Sequence, residues 1–339
     1  MRFEFYHSGL ENVRKLSVDG TVGNSIHLSH WQGNETPTEV KADTSTEIAL
    51  NMAASPNRDA LTQGIELVTN NHFDTDGVLS VWTMLNGERA LELRDKLIPA
   101  AEAGDFSEFT NENAIRASIA IQGSDQPISG DDSGSPLARQ LAGAAIDDDA
   151  RAYDLVLREV ERLLTRTDAY ENLWRGPWQQ IATSIDSFER GASNVQEFVD
   201  ARLSLVTIAR EVFGPSGFDP TVHAAPFTAI SRYAKGQLFL IALPHQNGWA
   251  YRIDYPYYSW AETIVRPRIE RRNFAPLLSR LNQLETAAAG RWNLDTSELS
   301  SAVKFTGSDG RLAASMLQPD QVANAIRAEF ASNAAGVGG

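Results

Sequence analysis

The chain has no cysteine among its 339 residues, and this absence removes several kinds of chemistry together. Disulfides, thiolate nucleophiles, zinc ribbons and iron–sulfur clusters all depend on cysteine, so none of them can operate here. Any bound metal must instead be held by oxygen and imidazole ligands. Such ligands suit divalent manganese, magnesium, iron or zinc.

Long apolar runs are also missing. No stretch approaches the roughly 20 apolar residues that a membrane-spanning helix needs. The first seven residues, from Met1 to His7, lack the basic start and the apolar centre of a secretory signal. We therefore expect a cytoplasmic protein that has no membrane partner.

Positive charge is scarce, since 30 Lys and Arg residues face 44 Asp and Glu residues and the formal net charge is −14. Long nucleic acids are bound by clustered Lys and Arg that follow the phosphate path, so they are not expected partners. A small molecule or a short oligonucleotide is the expected substrate. The oligomeric state stays open, with a homodimer as one option.

Familiar enzyme motifs are absent as well. The sequence contains no Gly-x-Ser-x-Gly elbow, no Gly-x-Gly-x-x-Gly after a strand, no Gly-Lys-Ser/Thr and no His-Glu-x-x-His. These absences disfavour serine hydrolases, dinucleotide or ATP binding, and the common zinc peptidases.

The most informative stretch that is present is His-Phe-Asp-Thr-Asp-Gly at residues 72–77. The apolar run at 65–70 predicts a buried strand before it, and residues 78–85 predict a helix after it. A strand-to-helix loop of this kind faces the ligand crevice of an open α/β sheet. We therefore predict that His72, Asp74 and Asp76 bind a metal, with the two carboxylates converging on one cation.

A second interpretation of the same stretch needs no metal. Asp-x-Asp-Gly also suits a tight turn in which Asp side chains cap main-chain amides. Under that interpretation the segment only shapes the chain.

The strand, the Asp-rich loop and the apolar helix together resemble the first motif of the DHH phosphoesterase superfamily. The resemblance implies a manganese-dependent phosphoesterase in which His72, Asp74 and Asp76 are metal ligands and Ser80 lies on the helix behind them. The Asp-His-His triplet of that superfamily has no counterpart, because no two histidines are adjacent here. Residues 28–37, 43–46 and 254–257 resemble an uncharacterised bacterial family known only as a domain of unknown function.

Two further residues are candidates for the same site. His30 begins a Trp-Gln-Gly-Asn loop that can form an active-site wall, and we group it with His72 and Asp76 as catalytic; a packed histidine is the alternative. Asp105 follows a predicted helix end. A two-metal hydrolase needs carboxylates from more than one loop, so Asp105 is a candidate metal ligand, although a helix cap explains it equally well.

Arginines are concentrated at residues 266–272 in an otherwise acidic chain. The guanidinium groups of Arg266 and Arg268 are candidates for binding the anionic part of a substrate, because arginine matches phosphate and carboxylate bidentately. Local ion pairs at a solvated edge are the alternative.

The order of apolar patterns predicts an α/β protein. Residues 1–125 are predicted to form an α/β domain with a parallel or mixed, DHH-like sheet, and residues 123–136 a linker. Residues 137–213 are predicted to be a helical subdomain, and residues 220–333 an α+β domain with an antiparallel meander, which includes a strand at 229–233.

These patterns predict a divalent-metal-dependent hydrolase that acts on a small phosphoester or phosphoanhydride. Two alternatives stay open. One is a metal enzyme of different chemistry, such as amide hydrolysis or non-haem iron oxidation in a biosynthetic pathway. The other is a noncatalytic ligand-binding protein.

Overall fold

The computed structural model describes residues 1–124, 134–213, 226–295 and 300–331. Most of the predicted linker at 123–136 therefore lies outside the described residues. The chain divides into two compact units, which are described one at a time. The first unit contains Met1–Trp178 and Trp260–Arg268, and the second contains Gln179–Ser259 and Ile269–Gly339.

A four-stranded sheet forms the centre of the first unit. Its spatial order is β1-β4-β2-β3, and every neighbouring pair is parallel. The carboxyl ends of the strands therefore lie along one edge, which confirms the predicted α/β class. The strands are β1 (Arg2–Phe3), β2 (Lys15–Val18), β3 (Ser25–Leu28) and β4 (Leu67–Thr69).

The two central strands are buried along their whole length. Leu16, Val18 and Val68 have no exposed surface, and neither do their neighbours Ser17 and Thr69. Parallel strands that are covered on both faces have this continuous burial. The sheet edge is thereby held rigidly, which matters because functional side chains follow the strands directly.

Helices surround this sheet. They are α1 (Ser45–Ala54), α2 (Arg58–Leu61), α3 (Thr75–Glu92), α4 (Arg94–Asp105), α5 (Glu112–Gln122), α6 (Pro136–Ala142), α7 (Asp149–Val156), α8 (Val160–Thr165) and the start of α9 (Glu171–Glu189). Helix α1 has Thr44 as its N-cap, and the Thr44 side chain accepts the Glu47 amide. Helix α3 begins three residues before the predicted start, because Asp74 caps it.

The second unit is built on a six-stranded mixed sheet of order β5-β6-β7-β8-β10-β9. The β7–β8 hairpin and the antiparallel pairing of β8 with β10 confirm an antiparallel meander in this part of the chain. The elements are β5 (Asn194–Phe198), β6 (Leu203–Thr207), α10 (Phe227–Tyr233), β7 (Leu238–His245), β8 (Gly248–Asp254), α11 (Ala275–Leu284), β9 (Arg291–Leu294), β10 (Ser301–Thr306) and α12 (Pro319–Phe330).

Two local predictions are wrong. The segment at 229–233 is helical in α10, although a strand was predicted, and the last part of the predicted helical range forms β5 and β6. Strand β6 pairs in parallel with the apolar strand β7, and this pairing overrides the helix-like spacing of its leucines. The unit boundary also divides the predicted range 137–213, because α6–α8 belong to the first unit.

None of the helices in the described part of the chain is long and apolar enough to cross a bilayer.

Candidate metal centre

Acidic and imidazole side chains from three neighbouring strand ends meet at the carboxyl edge of the first sheet. Asp19 directly follows β2, His30 follows β3 by two residues, and His72 follows β4 by three. Asp105, the last residue of α4, joins them from outside the sheet. The complete group is Asp19, His30, His72, Asp74, Asp76 and Asp105.

Four of these residues surround one point, which we call the inner position: Asp19, His30, Asp76 and Asp105. The Nε2 atom of His30 lies 3.0 Å from Asp105 Oδ2, 3.7 Å from Asp19 Oδ1 and 3.8 Å from Asp76 Oδ2. All four residues are buried. One imidazole and three carboxylates at these distances form a ligand set for a hard or borderline divalent cation.

A second group, which we call the outer position, consists of Asp19, His72 and Asp74. The Nε2 atom of His72 lies 2.9 Å from Asp19 Oδ2 and 3.1 Å from Asp74 Oδ2. The side chains of His72 and Asp74 are 27% and 30% exposed, respectively. The outer position is therefore the side of the site that solvent and small molecules can reach.

Asp19 belongs to both groups. Its Oδ1 atom faces His30 and its Oδ2 atom faces His72, so the two oxygens of one carboxylate point to the two positions. Ser45 donates its hydroxyl to Oδ1 at 2.9 Å and holds the carboxylate in place. A carboxylate shared in this way has the arrangement of a bridging ligand between two cations.

The Asp-rich turn caps a helix and also faces the site. Asp74 Oδ1 accepts the Gly77 amide at 2.7 Å, as the turn interpretation predicted, while its other oxygen points to His72. The two oxygens of Asp76 accept the amides of Ser45 and Thr46, the first residues of α1. Each carboxylate oxygen has a second lone pair, so these bonds orient the carboxylates and leave ligand capacity.

Close packing favours glycine at two positions of this edge. A Cβ atom on Gly77 would lie 2.4 Å from Asn70 Nδ2 and 2.6 Å from the Tyr153 hydroxyl. A Cβ atom on Gly20 would lie 2.2 Å from Asn71 Oδ1. The small residues let the loops that carry Asp19 and His72 approach each other.

The ring orientation of His30 is set by a main-chain group. Its Nδ1 lies 2.6 Å from the carbonyl oxygen of Asp43, so Nδ1 carries a proton and donates it. Nε2 consequently faces the carboxylates, which is how a carbonyl partner orients a metal-binding imidazole. Phe106 and Trp260 pack against the ring and exclude other partners.

In the absence of metal, several side chains of this group have strongly shifted pKa values. Burial lowers and the neighbouring carboxylates raise the pKa of each imidazole, and the net result is about 10 for His30 and about 12 for His72. Burial and the charge of Asp76 raise the pKa of Asp105 well above its ordinary value. Burial also opposes ionisation of Asp19, but the charge of His72 lowers its pKa to about 2. These protons balance carboxylate charge that a cation would otherwise neutralise.

Three buried side-chain atoms of this group are available to bind a metal. Asp19 Oδ2, His30 Nε2 and His72 Nε2 are buried and have no aligned hydrogen-bond partner within the described ranges. Each imidazole nitrogen lies within 3.0 Å of a carboxylate oxygen, but without the alignment of a hydrogen bond, whereas buried polar atoms normally have an aligned partner. All three point to the inner or the outer position, so the donor set fits divalent metal ions.

Arg266 and Arg268, the predicted anion-binding arginines, are not among the residues that form the inner and outer positions. The guanidinium group of Arg266 donates to the carboxylates of Asp43, Glu102 and Glu108, and its side chain is 16% exposed. Its donors are therefore engaged within the first unit, and the structure gives no support to a role in substrate binding. Arg268 is exposed. Binding of a substrate anion by either arginine stays a prediction.

Sequence reasoning named five of the six side chains in the group and missed Asp19. In the sequence, the pair Asp19-Gly20 has the composition of an ordinary turn after a strand. The signal that points to Asp19 is its place directly behind a continuously buried parallel strand, where Asp19 adopts a positive φ of 62°. Ser80 is buried in α3 and donates its hydroxyl to the Gly77 carbonyl, so it supports the turn.

Comparison with known proteins gives a family and little more. A family model described as "Family of unknown function (DUF6687)" matches residues 2–337. A search of curated proteins finds no match. One matching solved structure is the pGpG-specific phosphodiesterase PggH from Vibrio cholerae, at 12% identity and a TM-score of 0.34, covering 80% of this chain and 81% of that chain. A TM-score this low gives no information on the activity of the present chain.

Proposed function

We propose that this chain, which belongs to the DUF6687 family of unknown function, is a hydrolase that uses two divalent cations on a small phosphoester or phosphoanhydride. The observation that supports this most is the position of Asp19, whose two carboxylate oxygens face two separate ligand groups. Pairs of cations about 3.5–4 Å apart, joined by a shared ligand, are typical of phosphoryl hydrolysis.

Charge supports two cations over one. Four carboxylates, from Asp19, Asp74, Asp76 and Asp105, lie at the two positions together with two imidazoles. Two divalent cations would neutralise four carboxylates, and the imidazoles would then bind as neutral ligands. Without cysteine, the site offers only oxygen and nitrogen ligands, which suits manganese, magnesium, iron or zinc.

The residues have distinct roles in this proposal. Bound cations would supply a water of lowered pKa and would stabilise charge on the phosphoryl oxygens. Asp19 would be a ligand at both positions. The Asp76 carboxylate is held in a fixed orientation because it accepts hydrogen bonds from two main-chain amides of α1. His72 lies on the exposed side, where it would bind the outer cation or orient the attacking water.

The likeness of residues 72–77 to the first DHH motif supports the phosphoryl chemistry and makes manganese the ion that we expect. In this proposal the residues of the inner position take the part of the Asp-His-His triplet, which this chain lacks. His30 and Asp105 supply the imidazole and the extra carboxylate there.

Activity is tested with chelator-treated protein supplied with manganese, magnesium, iron or zinc. We expect hydrolysis of at least one member of a panel of phosphomonoesters, dinucleotides and pyrophosphate, lost again on chelation. Asp76→Asn should abolish turnover, whereas Asp95→Asn, at an exposed site on α4, should leave it unchanged. Metal-replete protein that cleaves no member of the panel would contradict the proposal, and iron found by elemental analysis would favour the oxidative alternative.

A buried tyrosine should tune metal affinity at the outer position. Tyr153 on α7 accepts a hydrogen bond from Asn70 and donates one to the carbonyl of His72, while Phe3 and Phe73 pack on its ring. Tyr153→Phe keeps the ring and removes both bonds. We expect metal affinity at the outer position to fall by about 10-fold or more, as when other groups that orient ligands are removed.

The measurement is a calorimetric titration of chelator-treated protein with manganese. Affinity at the inner position should stay within about twofold, because the Tyr153 hydroxyl does not contact that group. Tyr170→Phe is the matched control, since its hydroxyl donates to Glu159 outside the site. Equal outer affinity in wild type and Tyr153→Phe would refute this role.

A further inference from the structure

The substrate must approach the centre from the outer position. All inner-position residues are buried, whereas the side chains of His72 and Asp74 retain 27% and 30% exposure. What borders the outer position therefore determines which substrates fit. An aromatic residue that is not one of the candidate metal ligands lies beside the outer position.

That neighbour is Trp31, which follows His30 on the loop after β3. It is 41% exposed, and its ring centroid lies 5.3 Å from the His72 ring. Trp260 meets its edge at 5.7 Å in a T-shaped contact. A large aromatic side chain that keeps this much exposed surface directly beside the solvent-facing ligands is placed to contact a bound substrate.

The Trp31 loop is fixed by hydrogen bonds. The Trp31 amide donates to Ser29 Oγ, and Asn34 donates its side-chain amide to the Trp31 carbonyl. Glu262 accepts from the Gly33 amide and from Asn34. The ring is thus held in place before any ligand arrives, which reduces the entropy lost on binding.

We propose that Trp31 is a stacking subsite for a planar ring carried by the substrate, and that the substrate is a phosphoester of the nucleotide class. The inference rests on the proposed function and specifies its substrate. Stacking needs no positive charge, which matters in a chain of net charge −14. Every nucleobase has a face that can stack on tryptophan, whereas a sugar phosphate or pyrophosphate has none.

The test compares two probes that differ only in the ring: adenosine 5′-monophosphate and ribose 5-phosphate. Binding to manganese-loaded protein is measured by calorimetry at 4 °C, and as KM for any probe that is cleaved. Wild type should bind the nucleotide more tightly than the sugar phosphate by about 5- to 100-fold. Trp31→Ala should remove that preference and leave ribose 5-phosphate affinity and manganese content within about twofold. Trp31→Phe should restore part of the preference.

Different failures have different meanings. Equal affinity of wild type for both probes, or a preference that survives in Trp31→Ala, would overturn the stacking subsite and leave the metal-dependent hydrolase intact. Loss of manganese in Trp31→Ala would show that Trp31 supports His72 structurally. That result would also overturn the stacking subsite. Wild-type protein that binds none of manganese, magnesium, iron and zinc, or that binds neither probe with a cation present, would overturn the proposed function, and the stacking subsite with it.

Discussion

Asp19→Asn should lose metal from both positions and reduce hydrolysis by at least about 1,000-fold. The substitution neutralises the one carboxylate that faces both ligand groups, so neither group keeps its full charge. Charge stabilisation by catalytic cations is worth several kcal/mol, and each 1.36 kcal/mol corresponds to a factor of ten in rate. The measurements are elemental analysis of the purified variant and its rate on the best substrate of wild type.

The matched control is Asp254→Asn in the second unit. Asp254 is as buried as Asp19 and also lies at a strand end, but it pairs with Arg252. We expect this control to lower stability while metal content and rate per folded molecule stay at the wild-type level. Far-UV circular dichroism verifies that both variants fold. Two cations per chain in folded Asp19→Asn would contradict the bridging role.

The metal-free protein should lose stability as the pH rises from about 7 to about 9.5. His30 keeps its proton in the folded protein up to a pKa of about 10 and His72 up to about 12, whereas unfolded histidine loses it near 6.5. The folded state therefore binds more protons than the unfolded state in this window. Stability falls by up to about 1.4 kcal/mol per pH unit for each such proton.

Denaturant unfolding across this pH range measures the slope. Saturating manganese should remove the decline, because metal binding requires neutral imidazoles and strengthens as the protons leave. His72→Gln should reduce the slope. His27→Gln is the control, because the His27 ring belongs to neither ligand group and hydrogen-bonds to main-chain groups of Val22 and Glu35. A metal-free protein whose stability is constant over this range would show that the two imidazoles are not held protonated.

Local sequence was sufficient for the strand edge and for most of the ligands. The run before His72 predicted β4, the helix pattern predicted α3, and the two together placed His72, Asp74 and Asp76 on a loop at the carboxyl edge. That inference works because strand period and helix period are properties of neighbouring residues. The same loop also caps α3 through Asp74, so the two interpretations of the turn are compatible.

Long-range partners could not be read from the sequence. Arg266 was predicted to bind a substrate anion, yet its donors are taken by Asp43, Glu102 and Glu108, which are distant in the chain. Strand pairing is equally nonlocal. The pairing of β6 with β7 makes this segment a strand, although the spacing of its leucines is typical of a helix. Asp19 belongs to both ligand groups only because two loops meet in the folded sheet. The residues next to Asp19 in the sequence indicate only a turn.

Diffraction from crystals grown with manganese, recorded with anomalous scattering, tests the two-cation centre most directly. We predict two anomalous peaks about 3.5–4 Å apart, with the Asp19 carboxylate between them, His30 at one peak and His72 at the other. A map without a peak among these carboxylates, in protein that retains its fold, would contradict the account.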